Sequence, residues 1–194
     1  MRNERVRVIA EVGLAVALSV VLNFIAARLP INVAGGSISL TMLPIMIVAL
    51  RRGPVAGMVA GALFGAIDLM LEPYIVHWAQ VLLDYPVPYA LVGLAGLGSK
   101  SYLKAVRAGR DENAAVIAIL WMLIGVVGRF IAHVVSGVIF FAEYAPEGMD
   151  PLVYSLVYNI SYIGPAAVAC IALAVIVLRA LNKAVPVSSA ITEV

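Results

Sequence analysis

Asp84, His133 and Asn159 are polar side chains inside stretches of sequence apolar enough to be buried in lipid, so their placement asks for a chemical explanation. A carboxylate within a membrane span is costly and as a rule faces a cavity or a partner rather than lipid. Asp84 belongs to HWAQVLLDYPVPYALVGLAG, residues 77–96, with Tyr85 beside it and Pro86 and Pro88 just after. Prolines there remove backbone donors and are tolerated where neighbouring helices or a cavity satisfy the freed carbonyls. The stretch therefore reads as a helix broken next to a buried acid. Counted from Trp78 at 1.5 Å per residue, Asp84 lies roughly 9 Å deep, while His133, counted from Phe141, and Asn159, counted from Pro151, lie roughly 12 Å deep.

Three polar groups on three helices thus converge on one layer near the outer leaflet. Arg129, His133 and Gly137 recur at every fourth position with Phe141 completing the stripe, and Tyr154, Tyr158 and Tyr162 do the same beside Asn159. A desolvated carboxylate favours a cation or a donor pair, aromatic rings supply stacking and cation–π contacts, and Asn or His can read ring nitrogens. Such a pocket suits a flat, partly charged heteroaromatic molecule. Bland roles stand beside these. Arg129 either pairs with Asp84 or caps backbone carbonyls for structure alone, a lone His133 would be a packing histidine, and tyrosines near an interface, like Trp78 and Tyr144, belong to the usual aromatic belt.

The elements that must carry these residues are membrane spans. The chain has 194 residues, 63% hydrophobic and 12% charged, with mean hydropathy +1.05; soluble domains carry roughly 25% charge. This composition is that of an all-α, multi-pass membrane protein in contact with lipid, without a surface for nucleic acid. Six spans are expected at about 6–27, 38–50, 54–70, 78–98, 114–141 and 151–178, forming one domain over 1–183, with a polar tail at 184–194. Leu40 to Leu50 is too short to cross alone by the roughly 20-residue rule, so the second span either borrows from the loop Arg28–Ser39, with Pro30 and Gly35-Gly36, or stays short and lines a cavity. Gly53, Gly57, Gly61 and Gly65 form a ridge on which a neighbouring backbone can pack closely. On the first span, Gly13, Ala15, Ala17 and Ser19 offer small faces for a partner helix or for internal packing.

Threading six spans puts the N-terminus, Arg51-Arg52, the Lys100–Arg110 connection and the C-terminus on one side. By the positive-inside rule both termini are cytoplasmic. Glu72, Glu143, Glu147 and Asp150 fall on the outer side, where they mildly attract a cationic solute. The single cysteine, Cys170, excludes an intrachain disulfide. No G-x-x-x-x-G-K-[ST], H-E-x-x-H or G-x-S-x-G motif is present, so the chain is expected to be neither a motor nor an enzyme and to hold no cofactor. Asp68 and Glu72 form the only close acid pair at a span and lack a histidine partner, so no metal is expected.

The runs LRRGPVAGMVAGALFG, LLDYPVPYALVGLAG, RFIAHVVSGVIFFAEYAPEGM and YSLVYN, within about Ser39 to Pro165, resemble the thiamine-specific substrate-binding (S) component of energy-coupling factor (ECF) vitamin transporters. The resemblance implies a six-helix S-component bundle in a prokaryotic plasma membrane, binding thiamine with high affinity from outside under the first outer loop. It implies contacts from Asp84, Tyr85, His133, Phe141, Tyr154 and Asn159. It further implies a transmembrane coupling subunit and two ATPase subunits, docked through the small-residue face of the first helix. The chain departs from the family pattern with Asp84 in place of Glu, Phe141 in place of Trp, and Val33-Ala34-Gly35-Gly36 where a Trp is usual. These departures keep open a thiamine precursor, a phosphorylated form or another vitamin as ligand, and Tyr74 and Phe64 are candidates for the missing aromatic surface. A standalone proton-coupled carrier using Asp84 and His133 is the alternative of another class, although no inverted repeat of the kind common in such carriers is evident.

Overall fold

The computed structural model describes residues 2–28, 32–33 and 36–185. Pro30, Ala34 and Gly35 of the expected outer loop, and 186–194 of the expected tail, lie outside the described residues. Helix α1 (Arg2–Ala26) is followed by a two-residue antiparallel pair, β1 (Asn32–Val33) and β2 (Gly36–Ser37), with Asn32 opposite Ser37. Then come α2 (Met42–Arg52), α3 (Pro54–Leu71), α4 (Trp78–Asp84), α5 (Pro86–Val92), a 3-10 segment (Gly93–Gly98), α6 (Ser99–Arg107), α7 (Asp111–Phe140) and α8 (Pro151–Ala184). The elements α4 to α6 follow one another over Trp78–Arg107, so that among the described residues five segments are long and apolar enough to span a membrane. The fold is an all-α membrane bundle.

Helix α2 stands where the second span was expected, and its 11 residues are too short to cross. At 1.5 Å per residue it reaches about 16 Å against a hydrocarbon core of about 30 Å. It is short because it is enclosed. Met42, Ile45, Met46, Ala49 and Leu50 have no exposed surface and pack with Phe64, Val92, Met122, Ile163 and Cys170 in the main core. Ahead of it, buried hydroxyls replace helix: Ser19 Oγ donates to the Thr41 carbonyl at 2.9 Å, and the Ser39 and Thr41 hydroxyls bond each other at 2.9 Å. The connection expected at Lys100–Arg110 is helical as far as Arg107, because Tyr102, Leu103 and Ala105 are buried while Lys100, Lys104 and Arg107 share the exposed face. Only Ala108–Arg110 forms a turn, with Gly109 at φ 66°.

The glycine ridge of α3 packs against α5 and what flanks it. A Cβ on Gly57 would meet the Gly93 backbone, one on Gly61 the Tyr89 carbonyl, and one on Gly65 the Tyr85 carbonyl. Two antiparallel backbones therefore run in direct contact, which fixes where Tyr85 and Asp84 stand. The docking face proposed on α1 divides in two. Ala15 and Ser19 are buried against the bundle, Ser19 through its bond to Thr41, which corrects their assignment to a partner surface. Gly13 and Ala17 face outward, and nothing lies within 4 Å of a Cβ placed on Gly13.

At the opposite end from the polar layer, Arg51 Nη1 donates to Asn182 at 3.0 Å and Asn182 donates to the Tyr102 hydroxyl at 2.8 Å. Arg52 Nε donates to Glu11 at 2.6 Å, and Nη1 to Glu4 at 3.3 Å. The start of α1 and the end of α8 therefore meet the Arg51-Arg52 turn on one face, the side that the positive-inside rule assigns to the cytoplasm. The Arg52 side chain is only 8% exposed, and it ties the otherwise lipid-facing α1 to the α2–α3 turn. Arg52→Met should lower stability in detergent by about 1–3 kcal/mol, since it leaves two half-exposed carboxylates without their cation. A melting curve unchanged from the parent would show that α1 is held by its apolar contacts alone.

Candidate functional site

The helix carrying Asp84 breaks where the sequence requires. Pro86 cannot donate and starts α5, while Tyr85, at φ −115° and ψ −85°, separates it from α4. His77 caps α4, its Nδ1 accepting from the Ala79 amide at 3.1 Å, and stacks on Phe140 with ring centroids 5.2 Å apart. Asp150 caps α8, accepting from the Leu152 amide at 2.8 Å, with Pro151 in the first turn. These local signals set the depth at which α4, α7 and α8 present their polar residues.

They converge on one cavity of about 550 Å³, inside the roughly 300–1,000 Å³ of small-molecule sites. Asp84, Tyr85, His133, Phe141, Tyr154, Asn159 and Tyr74, the whole expected contact set, line it together with Arg129 and Tyr158. Asp84 is the acid of the site. Its Oδ2 accepts from Gln80 Nε2 at 2.6 Å, and its Oδ1 lies 3.5 Å from His133 Nδ1. Arg129 Nε donates to His133 Nε2 at 3.4 Å, so the ring proton sits on Nδ1, toward Asp84.

Arg129 therefore does not pair with Asp84. Its guanidinium is 4.4 Å from the centroid of the Tyr89 ring and donates to the Tyr89 hydroxyl at 3.4 Å, and among the described residues no carboxylate lies within ion-pair distance. A guanidinium 6% exposed, held by a π face and two long bonds, leaves donors turned to the cavity it lines.

Asn159 is fixed from both ends, its amide donating to the Ser155 carbonyl at 2.9 Å and its carbonyl accepting from the Tyr162 hydroxyl at 2.7 Å. The tyrosine stripe is continuous, with Tyr154–Tyr158 and Tyr158–Tyr162 centroids 6.1 and 5.6 Å apart. At the outer mouth Tyr74 stacks on Phe141 at 6.0 Å and its hydroxyl bonds that of Tyr144 at 3.0 Å. Tyr144 thus lines the cavity as well as facing outward, whereas Trp78 is 72% exposed and lies outside the cavity wall. Phe64 is not part of the wall: it is fully buried and packs edge-on against Tyr89 at 4.6 Å. Tyr85 offers its ring, because its hydroxyl is spent on the loop after α3, accepting from the Tyr74 amide at 2.8 Å and donating to the Glu72 carbonyl at 2.9 Å.

Sequence reasoning missed five wall residues: Ser39, Asp68, Tyr89, Tyr144 and Ser155. Asp68 was visible only as half of an acid pair. In the fold it turns into the cavity and accepts from Asn23 of α1 at 2.7 Å. Gln80 was also missed, although its spacing of four from Asp84 on one helix face was the available signal. Among the described residues no group of three or more potential ligands could hold a metal ion.

Known proteins share both sequence and shape with this chain. The profile of the thiamine transporter protein (Thia_YuaJ) family matches residues 9–186. The thiamine transporter ThiT of Bacillus subtilis (strain 168) is 33% identical over 161 residues, 82% of this chain and 84% of that one. ThiT of Lacticaseibacillus paracasei is 31% identical over 189 residues, 95% and 91% of the two chains. Among solved structures, ThiT from Listeria monocytogenes superposes with a TM-score of 0.76 at 29% identity, covering 95% of this chain and 97% of that one. The S-component for biotin from an ECF-type ABC transporter superposes at 0.63 and 22% identity, covering 94% of each chain, a likeness of fold alone. A match running from α1 to the end of α8, with two bacterial relatives aligned over most of its length, means that this chain belongs to the thiamine transporter protein (Thia_YuaJ) family.

Proposed function

We propose that this chain is the thiamine-binding S-component of an ECF-type transporter, a multi-pass protein of the prokaryotic plasma membrane that takes the vitamin from outside with high affinity. The observation that carries the reading is Asp84, a carboxylate held by Gln80 and His133 on the wall of an aromatic cavity. Thiamine is a flat pyrimidine joined to a permanently cationic ring. The carboxylate suits its charge or its amino donors, the second lone pair of the Asn159 carbonyl suits a further donor, and the tyrosines and Phe141 suit its faces. Family membership and the likeness to ThiT support the same ligand. Titration calorimetry of the purified chain in detergent tests it: submicromolar thiamine binding is expected, and tighter binding of the pyrimidine precursor or of a phosphate ester would overturn thiamine as the cargo.

The 3.5 Å approach of His133 to Asp84 is also what a proton relay needs, and it favours the carrier as the second reading. Uptake by vesicles that requires ATP and ATPase subunits supports the S-component; uptake driven by a proton gradient without them supports the carrier. With no phosphate-binding loop in the chain, energy is supplied by a transmembrane coupling subunit and two ATPase subunits, and the outward Gly13 and Ala17 of α1 form the close-approach face for the coupling subunit. Gly13→Leu should therefore leave thiamine affinity within about twofold and reduce ATP-dependent uptake by about tenfold or more, a steric effect confined to the partner. Unchanged uptake would place the docking face elsewhere.

A further inference from the structure

Gln80 is the only buried residue of α4, 1% exposed on a helix whose other residues are half-buried or exposed. Buried amides must find partners, and the choice of partners here is informative. One Nε2 proton goes to Asp84 Oδ2 at 2.6 Å. The other goes to the Tyr74 carbonyl at 3.1 Å, and Oε1 accepts from the Val76 amide at 3.3 Å. Tyr85, on the other side of Asp84, holds the same loop through the Glu72 carbonyl and the Tyr74 amide. The loop so held carries the Tyr74 ring onto Phe141 and its hydroxyl onto Tyr144 across the cavity mouth.

Resting on the thiamine-binding reading above, we infer that Gln80 is a positioning residue that ties the Tyr74 loop to the Asp84 carboxylate, so that the orientation of the acid and the closure of the aromatic mouth are one event. A ligand that engages Asp84 orders the Gln80 amide, and the amide holds Tyr74 over the ligand. The consequence is kinetic, because a cap of this kind retards escape more than it alters encounter.

The test is thiamine dissociation by stopped flow for the parent chain, Gln80→Leu, Tyr74→Ala and the double variant. Each single variant should raise koff by about ten- to a hundredfold, the range of losing hydrogen bonds to a charged group and to backbone. Because both act through one loop, the double variant should exceed the larger single by no more than about threefold. Should Gln80→Leu not fold, Gln80→Met takes its place: it keeps the length and nearly the volume of the side chain, loses both amide donors and the acceptor for Val76, and is expected to raise koff in the same way. Amide exchange reads the tie without ligand. The Val76 amide should exchange about tenfold faster or more in Gln80→Leu than in the parent, since its protection is this one bond. Multiplicative effects on koff, or a koff in the Gln80 variants within about twofold of the parent, would overturn the inference. Absence of thiamine binding by the parent would instead overturn the ligand reading, and the exchange of Val76 would still decide whether Gln80 holds the loop.

Discussion

Asp84→Ala should weaken thiamine binding by about 2–5 kcal/mol, which is roughly thirty- to several-thousandfold in Kd, the cost of truncating a buried hydrogen-bonded charge at an interface. The loss has two parts. A cationic ligand forfeits its counter-charge, and the site itself is left with an unpaired Gln80 Nε2 proton and a His133 Nδ1–H without its acceptor. Asp84→Asn separates the two, since an amide oxygen still accepts from Gln80 while the charge is gone; its affinity should fall between the parent and the alanine variant. Calorimetry on all three proteins, each checked for an unchanged elution profile, reads the series. If alanine and asparagine bind thiamine like the parent, the carboxylate is structural and the charge of the ligand is met by another wall residue, with Asp68 the other acid lining the cavity.

The largest effect on folding is expected at the glycine ridge. In Gly61→Val and Gly65→Val the new Cβ would lie well inside contact distance of the Tyr89 and Tyr85 carbonyls. Those atoms are backbone of α5 and of the helix break, so no rotamer change relieves the overlap. Overpacking of a core usually costs about 1–3 kcal/mol, and separation of two backbones belongs at or above the upper end. Gly65→Val should in addition displace Tyr85 and with it the loop that its hydroxyl holds. The expected result is a lowered melting temperature for both variants and, for Gly65→Val, loss of ligand binding in whatever fraction folds. Gly13→Leu is the control, an added side chain on a glycine with nothing nearby. Equal stability of all three variants would mean that α3 and α5 are not in backbone contact.

These residues also mark how far the sequence could be read. Membrane class was legible because it follows from composition, which no tertiary contact can alter. The break at Asp84-Tyr85-Pro86 was legible because proline acts on the backbone locally. The converging layer of Asp84, His133 and Asn159 was legible because in an apolar span a polar residue stands out, and depth follows from counting along a helix. The ridge of Gly57, Gly61 and Gly65 announced close packing without naming the partner.

Tertiary structure alone decided which faces meet. Small residues at Ala15 and Ser19 fitted a partner surface or internal packing equally, and the rotation of α1 about its axis, set by its packing on α2 and α3, turns them inward and leaves Gly13 and Ala17 outside. Arg129 had a carboxylate within one layer and instead lies on the Tyr89 ring, because Gln80 and His133 already occupy Asp84. Phe64 was a candidate for aromatic surface but is buried under Tyr89, and Tyr74, on a loop of no periodicity, is brought over the mouth by Gln80 and Tyr85. By itself the sequence determined the membrane class and the relative depth of each polar residue, since these depend on composition and on position along a helix. The choice of partner for each side chain depends on the angle at which one helix turns toward another, and that was decided only when the bundle closed around α2.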